Sequence, residues 1–101
     1  MVQSNSAGPS TPAFAVFTRT LCEGLVPAWY DDHDKPVTYV TQREAQCEIA
    51  EMLVEQLRQF LDGEREFDDA MSVDDFVLPV DLLADGTILT EDGEKFGRRI
   101  P

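Results

Sequence analysis

Asp81 to Asp92, DLLADGTILTED, has the spacing in this chain that comes nearest to a known binding chemistry. Read as a calcium loop, it puts aspartate at positions 1, 5 and 12, Gly86 at the turn position 6 and Ile88 at the apolar position 8. A metal-binding function would run through Asp81, Asp85 and Asp92. Leu83 stands at position 3, where an oxygen ligand is required, and the residues before it read as a strand rather than a helix. An Asp85-Gly86 hairpin turn explains the same letters and is the preferred reading. Asp31-Asp32-His33-Asp34 offers an imidazole and three carboxylates, donor types that suit a transition metal. Consecutive residues rarely converge on one ion, and a turn closed by Pro36 asks for Asx residues in any case. His33 is the single histidine, so acid-base chemistry of the histidine type has one base, in an exposed turn. No glycine-rich phosphate loop, GxSxG elbow or dinucleotide fingerprint is present. No catalytic residue and no cofactor is expected, and the chain reads as one that binds.

Charge narrows what it binds. Twenty acids face eight Lys and Arg, a net charge of −12 on 101 residues. From Glu44 to Glu94 the imbalance is sixteen acids to two bases, Arg58 and Arg65. Nucleic-acid binding needs a basic patch that displaces counterions, so direct contact with nucleic acid or an anionic membrane is disfavoured. Basic protein partners and divalent cations are electrostatically permitted, while the carboxylates also serve solubility. Cys22 and Cys47 form neither a CxxC pair nor a zinc set and read as small hydrophobes. The opening MVQSNSAGPSTP lacks the charged and apolar regions of a signal peptide. No run approaches the ~18 apolar residues of a membrane span, and a cytoplasmic protein is expected.

The element that must position any site is the stretch Thr41 to Asp62. Thr41 and Glu44 make the S/T-x-x-E capping box, Gly63 closes the far end, and the interior has no Gly or Pro. A helix of about 20 residues and roughly 30 Å follows. Its apolar face is Ala45, Ile49, Met52, Leu53, Leu57 and Phe60, widened by Cys47, Ala50, Val54 and Leu61. That arc spans roughly 220°, whereas a helix resting on a sheet needs a stripe of ~100° or more. Something besides the sheet must cover it: a folded-back loop, the C-terminal tail, or a second copy of the chain in a homodimer.

Around the helix the pattern is strand-like. AFAVFTRT from Ala13 has Phe14 and Val16 on one face and Ala15 and Phe17 on the other, the pattern of a central strand covered on both sides. Leu25 to Tyr30 reads as a second strand with Pro27 at an edge or bulge, and Val37 to Val40 as a short third strand leading into the helix cap. Residues 64 to 75 form an acidic loop with room for one helical turn at Asp68 to Met71. Phe76 to Val80 returns as a strand, Pro79 again arguing for an edge or bulge, and Thr87 to Thr90 is the arm of a hairpin. The order is β-β-β-α-β-β. The fold class is α+β: a mainly antiparallel sheet of four or five strands with one long amphipathic helix packed on it. Residues 1–12 are expected to be a disordered lead-in, 13–93 a single domain and 94–101 a tail carrying basic residues.

Trp29, Tyr30 and Tyr39 fall on adjacent expected strands and offer either an aromatic platform or, preferably, half-buried sheet packing. With Glu48, Glu51, Val54, Glu55 and Leu61 on the helix they make up the expected interaction surface. The stretch from PAWYDDHDKPVTYVT through REAQCEIAEML resembles a layout found in small uncharacterised bacterial proteins. The resemblance implies no activity, and no site residue is carried over from it. The expected function is a protein-interaction or regulatory module without catalysis. The alternatives are an acidic mimic of nucleic acid that inhibits a basic protein, and the metal-binding reading above.

Overall fold

The computed structural model describes residues 10–97. In chain order the elements are β1 (Ser10–Thr20), β2 (Gly24–Pro27), α1 (Gln42–Leu61), α2 (Phe67–Ala70), β3 (Phe76–Leu83), β4 (Ile88–Thr90) and β5 (Lys95–Phe96). The strands form one five-stranded antiparallel sheet in the order β2-β1-β3-β4-β5. With α1 as the one long helix, the α+β class is as the sequence implies.

Alternation along β1 sorts its side chains between two faces. Ala13, Ala15 and Phe17 lie in register with Val80, Leu78 and Phe76 of β3 and share a face with them. Leu82 opposite Ile88, and Ile88 opposite Phe96, extend that face across β4 and β5. Phe17 and Ile88 at its centre are wholly buried, and Leu25 packs against the same cluster. The Phe96 ring meets Phe17 edge-on, with centroids 5.5 Å apart and planes at 62°. In a flat sheet β1 and β5 would be separated by three strand spacings, about 14 Å. The sheet is therefore curled nearly into a barrel, closed on its own aromatic core.

No α1 side chain belongs to that cluster, although α1 contacts β1 and β3. It lies on the opposite face, where Val16 is also buried. Its start is the expected capping box: the Thr41 hydroxyl accepts from the Glu44 amide at 3.1 Å, and the Glu44 carboxylate accepts from the Thr41 and Val40 amides. Its end is a Schellman turn. Gly63 at φ 81° lets its own amide donate to the Phe60 carbonyl and the Glu64 amide to that of Gln59. Part of the wide apolar arc is covered by a folded-back segment, α2. The Gln56 amide donates to the carbonyls of Ala70 and Ser72, at 3.0 and 3.2 Å, and fastens that segment to the helix.

Several expected boundaries are corrected. β1 starts at Ser10, so Ser10 to Pro12 join the domain through pairing with Leu83, Leu82 and Asp81; the rest of the expected lead-in, residues 1–9, lies outside the described residues. β2 ends at Pro27, which leaves Trp29 and Tyr30 beyond it. Val37 to Val40 is not a strand. The β1 edge on that side is already taken by β2 and by Ala28, leaving Tyr39 one bridge to Phe14, while the Val40 amide is claimed by the helix cap. The expected tail contributes β5, because the Asp92-Gly93 turn sends Phe96 back onto the core; residues 98–101 lie outside the described residues. Pro79 sits in an interior strand without a bulge. Phe14, its partner in register, spends its backbone groups on Tyr39, so Pro79 faces the β4 side, where pairing starts only at Val80. The missing N–H costs no ladder bond there.

Candidate interaction surface

The expected site residues fall into three places. Trp29 and Tyr30 open a short excursion from Trp29 to Val37, closed by the Val37 amide donating to the Trp29 carbonyl and the Asp31 amide to that of Lys35. Both are half-buried, but they lie beyond β2 rather than in the expected sheet packing, and not with Tyr39 on adjacent strands. At the tip, the Asp31 carboxylate accepts from the amides of His33 and Lys35, at 2.8 and 3.0 Å. These bonds hold its pKa below the ordinary carboxylate value. Asp34 takes the left-handed conformation, φ 63°. Lys35 donates through Nζ to the Asp85 carbonyl, tying this tip to the β3–β4 turn. Asp31 to Asp34 is thus an Asx turn, as preferred from sequence.

Tyr39 and Glu48 come together at the start of α1. They line an open groove of about 510 Å³ with Val40, Arg43, Glu44 and Cys47. Burial, then the charge of Glu48, raises the Tyr39 pKa. Cys47 and Cys22 are both exposed, contrary to their reading as small hydrophobes: Cys47 lies on the flank of α1 that the sheet does not reach, and Cys22 in the β1–β2 turn.

Glu48, Glu51, Val54, Glu55 and Leu61 are all exposed on the outward side of α1. Glu48 and Leu61 stand about 20 Å apart along the axis, so the groove and the far end are separate regions of one ridge. Among the α1 side chains only Ala45 is fully buried. Glu55 pairs with Arg58 at 3.1 Å, an exposed contact worth little on its own.

Sequence reading did not anticipate the apolar surface where α1 meets α2. Phe60 and Phe67 pack edge-on, centroids 5.2 Å apart, yet both stay exposed, as do Met71 and Val73. The signal was the apolar minority of residues 64 to 75, unreadable until the segment's place against α1 was known.

The calcium-loop spacing resolves into two hairpins. Asp81 lies inside β3 opposite Leu89, Asp85 accepts from the Thr87 amide at 2.9 Å in the first turn, and Asp92 sits in the second. Hydrogen bonding from Thr87 lowers the Asp85 pKa. Among the described residues no three His, Cys, Asp or Glu side chains come together in a group that could hold a metal ion. Nor is any described helix long and apolar enough to cross a membrane. In comparisons with known proteins no family model, curated protein or solved structure matches the chain.

Proposed function

We propose that this chain is a protein-interaction module that acts without catalysis, and that its binding face is the outward side of α1, read by a partner with a basic surface. One observation carries the reading. The longest element of the fold buries a single residue fully, Ala45, and sets Glu48, Glu51 and Glu55 outward beside exposed Val54 and Leu61. A helix capped at both ends is a rigid support, so those carboxylates have fixed spacing, rising about 5 Å from one to the next. Complementary potentials of this kind steer encounter and select partners, with an association that weakens as salt rises.

The test is affinity capture from a lysate of the source cell at low salt, eluted with high salt, beside a Glu48→Gln, Glu51→Gln, Glu55→Gln variant. A basic protein retained by the native chain and lost by the variant is the expected result. Retention of the same proteins by both sinks the reading. If the captured protein binds nucleic acid and releases it in exchange for this chain, the acidic-mimic alternative replaces the regulatory one.

A further inference from the structure

We infer that the corner where α1 meets α2 is the docking site for an amphipathic segment of the partner, one that carries lysines or arginines around an aromatic or leucine anchor. The inference rests on the reading of α1 as a binding face and names the chemistry of its partner.

The corner is an ordered apolar surface. Phe67 and Met71 lie one turn apart, the Met71 amide donating to the Phe67 carbonyl, and Phe67 meets Phe60 edge-on. Phe67 is 53% exposed, Met71 52% and Phe60 37%. Beneath them, buried Ala70 and the two Gln56 bonds hold α2 in place. Arg65 adds a bond through Nε to the Gln59 side chain at 2.7 Å and an ion pair with Asp69 at 2.6 Å. Apolar side chains held out to water on a braced backbone lose little freedom when a partner covers them.

Charge decides what covers them. Asp62, Glu64, Glu66, Asp68 and Asp74 are exposed around the corner. Both cations of the region are engaged, Arg58 by Glu55 and Arg65 by Asp69. An apolar centre inside a polar rim is the ordinary anatomy of an interface, and this rim is acidic. A second copy docked by a two-fold axis would set the patch against itself and bring two acidic rims together, a like-charge arrangement that costs binding energy. A basic amphipathic helix places its anchor on the apolar centre and its cations on the rim, the mode in which i, i+3, i+4 and i+7 side chains enter a groove.

The probe is a fluorescent Lys/Leu peptide with one Trp, about 16 residues or four helical turns long, its apolar residues on one face. Its control has the same composition shuffled to scatter them. Anisotropy titrations use the full chain, native and as Phe67→Gln, Met71→Gln. The patterned peptide is expected to bind the native chain about tenfold more tightly than the shuffled one. The variant is expected to lose that advantage while melting as the native chain does. If it melts early, Met71→Gln alone repeats the comparison at a position 52% exposed. Equal binding of both peptides to the native chain, or an undiminished preference in the variant, overturns the corner as the docking site and leaves the acidic face standing. Binding of neither peptide at low salt overturns both. A mass that doubles with concentration for the native chain but not the variant overturns the basic partner in favour of a second copy.

Discussion

The two faces of the sheet bury their apolar side chains to very different degrees. On the inner face the curled strands enclose Phe17 and Ile88 completely, and Phe96 closes the gap without help from a helix. On the outer face a helix of 20 residues fully buries one alanine and leaves Val54 and Leu61 in water. Fold stability is thus concentrated in the sheet. The helix layer is rigid because it is capped and braced, although it is poorly covered, and that combination leaves it available to a partner.

The sharpest way to break this contrast is to truncate one residue on each side. Phe17→Ala should cost about 3–5 kcal/mol, much of the stability of a small domain, and give a chain largely unfolded in denaturant titration near zero denaturant. Leu61→Gln should change stability by no more than about 0.5 kcal/mol. Similar losses from the two would remove the division between core and surface. Thr41→Ala should cost about 1 kcal/mol by removing the cap, read as a lower urea midpoint at unchanged slope.

Smaller effects follow from ionisation. Burial raises the pKa of Asp75, against a bond from the Thr18 side chain that lowers it, so its carboxyl is harder to ionise in the folded state than in the unfolded chain. The stability tied to this group is present below its unfolded pKa and is lost as pH rises through the folded one. Asp75→Asn should therefore raise Tm at neutral pH, with the gain vanishing in acid. Asp85 has the opposite sign. Its lowered pKa makes its contribution present above the unfolded value and lost as pH falls through the folded one. Asp85→Ala should lower Tm at neutral pH, and the difference from the native chain should close as the medium is acidified. Salt gives the mildest contrast: added sodium chloride should raise Tm slightly by screening repulsion along the acidic ridge. A flat salt dependence would show that the ridge does not strain the fold.

The parts of the fold legible in sequence were those whose causes lie within a few residues. Thr41, Glu44 and Gly63 set the ends of α1 because caps bond to amides and carbonyls one turn away. The Asp85-Gly86 and Asp92-Gly93 turns depend on local backbone freedom, with Gly86 at φ 88° and Gly93 at φ 92°. The two-sided burial of β1 follows from an alternation of period two. What alternation does not specify is which strand lies alongside. Pairing Ser10 with Leu83 joins residues at opposite ends of the chain, and the partners of Val37 to Val40 were settled by which edge of β1 was still open. The curl that joins Phe17 to Phe96, and the folding of α2 onto α1 that leaves an apolar corner in water, were likewise decided only in the tertiary structure. The physical reason is the same in each case: a residue's pattern tells which side chains need cover, whereas the cover itself comes from distant segments competing for the same surface.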